Sequence, residues 1–288
     1  MNKGQVSSLK PRSPLRQRLA RWEYAVSFAY AHGASIKECC RLFYYAGLKA
    51  SLVFRGLTRY SPERILSFSL KVTDKKRFQI FARDNGLDVG TFAEFFQPRH
   101  TKVPQEFLSL KPRVIYDFGA NIGAASLYFA TMYPDASFYG FEPMPANYEI
   151  CVLNYRNLVK GEVFSCAVGA RSETAIFECL NDPRGGRLAG GVANPNLRLT
   201  GKVDVQVFSV ADLIQLKKLA RPEFLKIDVE GAEMEVLKGM EGYTEGVKGI
   251  FVETHSPQLT AECLDWMQAH GFRVRDSNDP AAIWGSRD

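Results

Sequence analysis

The chain has 288 residues, 46% of them hydrophobic and 24% charged, with a formal net charge of +6. This is an ordinary globular composition, long enough for one large domain or a domain with an appendage. It holds no repeat or low-complexity tract, and no apolar run approaches the roughly 18–20 residues that span a bilayer. The charge is unevenly placed. Residues 1–60 carry 11 Lys+Arg against 2 Asp+Glu, a net +9, and the remainder carries 26 against 29, a net −3. Basicity therefore belongs to the N-terminal segment, which argues against nucleic-acid binding by the whole protein. The six cysteines form neither a C-x-x-C pair nor a Cys/His cluster of zinc-finger spacing, so reduced, mostly buried thiols are expected. The apolar stretch Tyr24 to Ala31 is short and follows a long basic run. It is not read as a secretory signal, and a cytoplasmic protein is expected.

In chain order, residues 1–13 read as a loose tail. Leu15, Leu19, Trp22, Ala25 and Val26 recur at helical steps, and Ser35 with Glu38 three residues later suggests a capping box opening a second helix to Ala50. Ser67–Val72 and Arg77–Phe81 flank Thr73–Lys76 as a hairpin, and Asp88–Phe96 reads as a short helix. Beyond Arg113, strands and helices alternate, the signature of a mostly parallel sheet with helices on both faces. The expected strands are Val114–Asp117, Ser137–Phe141, Glu162–Ala167, Phe224–Asp228 and Gly249–Glu253. The expected helices are Ile122–Met132, Pro145–Asn157, Ala232–Met240 and Pro257–His270. Thr174–Leu180 and Val203–Phe208 are extra strands around a long Gly-, Asn- and Arg-rich loop, Asn181–Gly201. The division expected is a basic helical extension over 1–65 and an α/β domain over 66–288.

The segment VIYDFGANIG (114–123) is a buried strand ending in an acid, then a glycine turn and a helix start. Such a turn brings backbone amides close to a ligand and aims a helix N-terminus at its negative group. Glu142 ends the next strand, one βαβ step on, where a ribose-binding acid is expected. A NAD turn reads G-x-G-x-x-G. Here Asn121 takes the second glycine's place, which suits a ligand without a pyrophosphate, and S-adenosylmethionine fits. Asp117 is then expected near the ligand's ammonium, Gly119, Asn121 and Gly123 around its amino acid portion, Glu142 on the ribose hydroxyls, and Ala167 near the adenine.

Three segments together, VIYDFGANIG (114–123), FEP (141–143) and LKIDVEGAEMEVLKG (225–239), resemble the FkbM family of S-adenosylmethionine-dependent methyltransferases. SCAVGA (165–170) and FVETH (251–255) add to the likeness. The resemblance implies a class I methyltransferase, Rossmann-like fold and O-methylation of a hydroxyl on a sugar or natural product. One departure is Ser209-Val210-Ala211-Asp212, where family members often carry two successive acids.

The block from Lys226 to Glu233 ends the fourth strand on the ligand side of the sheet. Asp228 and His255, at two strand tips, are expected to take the proton from an acceptor hydroxyl. Asp228 and Glu230 share a face only if the strand continues, which a turn at Glu230-Gly231 would change. Glu233 is read as a helix N-terminal carboxylate. Asp228, Glu230, Glu253 and His255 could also supply ligands to a divalent ion, but they show no fixed ligand spacing, and no metal is assigned.

Arg184, Arg187 and Arg198 lie in the long loop, which could close over a phosphate- or carboxylate-bearing acceptor. The basic prefix alternates arginines with aromatics and reads either as a helical cap or as a peripheral contact with an anionic membrane. The function expected is O-methylation of a small-molecule or glycan acceptor. A non-catalytic cofactor-binding or scaffold protein of the same fold is the alternative, and a NAD oxidoreductase a weaker one.

Overall fold

The computed structural model describes residues 14–97, 103–180, 182, 186–189, 198–275 and 279–287. Three helices open it: α1 (Pro14–His32), α2 (Ile36–Phe43) and, after a π-helical turn at Tyr44–Leu48, α3 (Lys49–Phe54). Ser35 caps α2 by accepting from the Glu38 amide. Glu38 does not complete a capping box. Its carboxylate accepts from Arg41 and from the Ser69 amide, because α2 lies against the first hairpin and that contact recruits the side chain.

That hairpin pairs β1 (Ser61–Lys71) with β2 (Arg77–Asp84), antiparallel, and Thr73 Oγ1 closes the turn by accepting from the Lys75 and Lys76 amides. Alternation places Leu66, Phe68 and Leu70 of β1 and Phe78, Ile80 and Ala82 of β2 in one core with Phe28 and Leu42 of the opening helices. The helix α4 (Asp88–Phe96) follows and buries Val89, Phe92 and Ala93 in the same core.

The main sheet has seven strands. Its central parallel strands are β3 (Val114–Phe118), β4 (Ser137–Phe141), β5 (Lys160–Phe164), β10 (Phe224–Ile227) and β11 (Gly249–Glu253). Between them come α5 (Ala124–Met132), α6 (Pro145–Tyr155), α7 (Val210–Lys217), α8 (Glu233–Gly239) and α9 (Pro257–Ala269). The spatial order is β12-β13-β11-β10-β3-β4-β5, with β12 (Arg273–Arg275) and β13 (Ala282–Ser286) at one edge and β13 antiparallel to both neighbours. This is the class I methyltransferase, Rossmann-like sheet. Chain order reverses between β3 and β10, and the crevice at that switch point is where ligands bind in open α/β sheets. One face of the sheet packs on α5, α6 and the N-terminal core, the other on α7, α8 and α9.

A second sheet, ordered β6-β9-β7-β8, comprises β6 (Ala167–Val168), β7 (Glu173–Leu180), β8 (Gly186–Leu188) and β9 (Leu199–Phe208). The single strand expected over Glu162–Ala167 is therefore two. β5 ends at Phe164, a turn bonds the Cys166 amide to the Phe164 carbonyl, and β6 pairs with β9 instead. Alternation alone does not show a strand changing sheets. The strands β8, β12 and β13 were not anticipated, being short or lying in a segment that reads as loop.

Candidate active site

The turn after β3 holds three left-handed residues, Gly119 (φ +76), Asn121 (φ +50) and Gly123 (φ +83). It is drawn back onto the sheet, since the amides of Gly119 and Ala120 both donate to the Phe141 carbonyl at 3.0 Å. A Cβ on Gly119 would stand 1.8 Å from the Asp228 carbonyl oxygen. Glycine here is what lets the tips of β3 and β10 meet. Gly123 precedes α5 in a conformation that L side chains rarely adopt.

Glu142, at the tip of β4, is 5% exposed. One carboxylate oxygen accepts from the Asn121 amide at 2.7 Å and the other from the Met144 amide at 2.9 Å. Burial raises its pKa to about 7, even though those two amides and the charge of Lys226 favour the ionised form. Glu142 thus holds the cofactor turn to the next strand, and its two oxygens keep further lone pairs.

Asp117 is fully buried. It accepts from Ser126 Oγ of α5 at 2.7 Å, and Ser126 Oγ in turn lies 2.7 Å from the Tyr155 hydroxyl. Its other oxygen lies 3.1 Å from Lys226 Nζ. Lys226 sits directly opposite Asp117 in the parallel register of β3 and β10. It is 2% exposed, donates to the Gly119 carbonyl at 2.6 Å and stands 3.5 Å from Asp228. Burial disfavours its charge, but the Asp117 and Asp228 carboxylates more than compensate and hold it well above the ordinary lysine range. This lysine joins the two halves of the crevice. Sequence reading gave it no role, although a lysine inside a four-residue buried strand signals an acid opposite.

The second half gathers around His255. Its Nδ1 lies 2.9 Å from Glu233 Oε1, and its Nε2 stands 3.4 Å from Glu230 and 3.7 Å from Asp228. Glu233 is fully buried and also accepts from the Gly231 amide. Glu230 (φ +54) and Gly231 (φ +101) turn the chain back, which brings the Glu230 carboxylate to the same imidazole as Asp228. Burial opposes charge on His255. The Glu233 bond and the charges of Asp228 and Glu230 outweigh it and raise the pKa to about 9. Glu253, at the tip of β11, is pushed up to about 8, first by the charge of Asp228 and then by burial. Burial and the Asp228 charge raise Glu230 to about 7.

Ala167 lies in β6, buried with Phe177, Val205 and Val207 in the core of the second sheet. Of the loop arginines, Arg187 pairs with Glu178 at 3.0 Å. Arg184 lies outside the described residues, as does most of Asn181–Gly201.

A profile of the methyltransferase FkbM domain matches residues 117–274, which takes in both halves of this crevice. The chain belongs to the FkbM methyltransferase family. S-adenosylmethionine is accordingly the cofactor, and methyl transfer is the chemistry of the fold. Among curated relatives, the chain is 33% identical over 175 residues to methyltransferase sdnD of Sordaria araneosa, covering 50% of this chain and 66% of that one. It is 27% identical to the hexuronic acid methyltransferase AglP of Haloferax volcanii (50% and 56%). It is 28% identical to the 31-O-demethyl-FK506 methyltransferase FkbM of Streptomyces tacrolimicus (58% and 75%). The chain thus spans somewhat less than two thirds of the first two relatives. The donor set of this FkbM domain fits the cofactor. A ribose presents two neighbouring hydroxyl donors, and the buried Glu142 carboxylate has acceptor positions beyond those its two amides fill.

Proposed function

We propose that this FkbM-family protein is an O-methyltransferase acting on a hydroxyl of a sugar, glycan or glycosylated metabolite. The observation that carries this is the juxtaposition of two acidic centres across one glycine: the Glu142-anchored turn, and the Asp228–His255 group that abuts it at Gly119. Bound S-adenosylmethionine supplies the electrophilic methyl carbon. Glu142 holds the ribose, Asn121 and Gly123 shape the turn beneath the amino acid portion, and the β6 region around Ala167 borders the adenine. Asp117 acts through Lys226, fixing the turn from below.

On the acceptor side, the proton of the hydroxyl is taken at the Asp228–His255 group. Glu233, Asp228 and Glu230 favour the protonated imidazole of His255, so Asp228 is the base. Positioning the oxygen in line with the methyl carbon supplies much of the rate. The sugar reading draws on the polar, acid-lined crevice and on AglP, whose name gives a hexuronic acid as what it methylates.

Calorimetry with S-adenosylhomocysteine, followed by labelled methyl transfer onto hexuronic acids, glycans and small polyols, tests the proposal. The expected result is cofactor binding, with label on a hydroxyl and transfer reduced at least tenfold in Asp228→Asn. Absence of both binding and transfer overturns it. Binding with no transfer to any acceptor favours the non-catalytic reading. We further infer that the protein is cytoplasmic and that its opening helices, which share a core with the hairpin, touch an anionic membrane through exposed Tyr30, Ile36 and Phe54.

A further inference from the structure

We propose that Asp228, Glu230 and His255 together hold one divalent metal ion, beside the methyl-transfer site and resting on that reading only for its use. One ligand atom from each residue lies within 4.8 Å of the others. The imidazole Nε2 stands 3.4 Å from Glu230 and 3.7 Å from Asp228. Those gaps are long for hydrogen bonds. They are close to the separation of about 3–3.5 Å between two ligands that each sit about 2.1 Å from a shared ion. The backbone is shaped for this convergence, because Glu230 is left-handed and the glycine after it lets the chain fold back to His255.

Two further observations separate this group from a chance acidic cluster. The first is the support behind the imidazole. His255 Nδ1 is engaged by Glu233, which is fully buried and itself fixed by the Gly231 amide. A buried carboxylate behind a histidine sets its tautomer and aims Nε2 outward, the arrangement that metal-ligating histidines use. Glu233 Oε2 is buried with no hydrogen-bond partner among the described residues, while Oε1 takes both the imidazole and the Gly231 amide. The second is the charge balance. Asp228, Glu230, Glu233 and Glu253 gather around His255, while the nearby Lys226 is shared between Asp117 and Asp228, so the carboxylates outnumber the cations. A dication, displacing the proton from Nε2, supplies the missing positive charge.

The donor set, one imidazole with two carboxylates, suits a first-row ion such as Mn²⁺, since imidazole favours transition metals and carboxylates favour harder ions. The three ligands remain between 24% and 32% exposed, which leaves coordination positions open toward the crevice for an acceptor hydroxyl. The ion lowers the hydroxyl's pKa, its proton passes to the Asp228 oxygen that the ion leaves free, and the oxygen's electron pair forms the new bond to the methyl carbon while the S–CH3 bond breaks, its electron pair returning to sulfur and S-adenosylhomocysteine leaving.

The test is titration of chelator-treated full-length protein with Mn²⁺, read by calorimetry and by the water-proton relaxation of the ion. The expected result is one saturable site, weakened at least tenfold in His255→Ala and in Glu230→Gln. Glu233→Gln is expected to weaken it 10- to 100-fold in the wild-type background and to add nothing in His255→Ala, which distinguishes positioning from bulk charge. Near-UV circular dichroism certifies that each variant is folded; for a misfolded His255→Ala, His255→Gln takes its place. No saturable site, or unchanged affinity in the folded ligand variants, overturns the proposal. Saturable Mn²⁺ binding without any methyl transfer leaves the metal site standing and removes the functional reading.

Discussion

At the scale of single residues, Lys226 is the hinge of the site. It is a fully charged amine in a strand buried on both faces, and Asp117, Asp228 and the Gly119 carbonyl are its partners. Lys226→Met keeps the volume but leaves Asp117 as an uncompensated buried charge. We expect a loss of about 3–5 kcal/mol in denaturant unfolding, largely recovered in the Lys226→Met/Asp117→Asn double variant. Glu142 yields a pH prediction. Its native pKa of about 7 lies above the ordinary 4.5, so the folded state binds a proton more readily than the unfolded state and stability falls as pH rises between those values. A ligand whose hydroxyls donate to the carboxylate prefers the ionised form. S-adenosylhomocysteine affinity should therefore rise about tenfold from pH 6 to pH 8, following ionised Glu142. Calorimetry on Glu142→Gln should show that dependence flattened. Ser209 opens the segment that departs from the family pattern. It caps α7, accepting from the Asp212 amide and donating to its carboxylate, so the serine does the local work at the helix start.

At the scale of elements, the hairpin is fastened to the α/β sheet by side-chain amides that act as a substitute strand. Asn154 of α6 accepts from the Phe81 amide and donates to the Phe81 carbonyl, and its amide also reaches the Ile122 carbonyl in the cofactor turn. Asn157 repeats the pattern on Gln79. Asn154→Ala orphans buried backbone groups at about 1–3 kcal/mol each. Thermal unfolding of that variant should drop by several degrees, and hydrogen exchange should quicken at Phe81 and Ile122. The hairpin, the βα rhythm and the β3 turn were legible because they obey periods of two and 3.6 with glycine punctuation. The convergence of Asp228 and Glu230 was not. It depends on a non-glycine residue adopting φ +54, which no pattern in the chain announces. Glu233 is the helix-terminal acid it reads as, at the start of α8, but its support of an imidazole 22 residues away was not legible.

At the scale of the whole molecule, the N-terminal helices share a core with the hairpin and with α5. Lys49 of α3 is 5% exposed and forms an ion pair with Asp84 of β2, which is 2% exposed. Removing residues 1–60 strips that cation and uncovers Phe68 and its neighbours. The truncated chain is expected to lose a cooperative thermal transition in calorimetry. Membrane contact is better tested without deletion. Tyr30, Ile36 and Phe54 are between 78% and 87% exposed, on a segment of net charge +9. Replacing all three by serine should abolish sedimentation with anionic liposomes, and wild-type sedimentation should fall as salt rises. No helix among the described residues is long and apolar enough to cross a membrane.

The amino-acid order alone determined the period of each element, the acids at the strand tips and the family likeness, because these are local properties of spacing and residue type. Strand register and chain reversals decided the rest. Only pairing β3 with β10 sets Asp117 against Lys226, and only the left-handed turn after β10 brings Asp228, Glu230 and Glu233 to the one imidazole of His255. Hydrogen bonds and contact ion pairs form only at separations of about 3–4 Å, so which groups meet is a property of the folded chain.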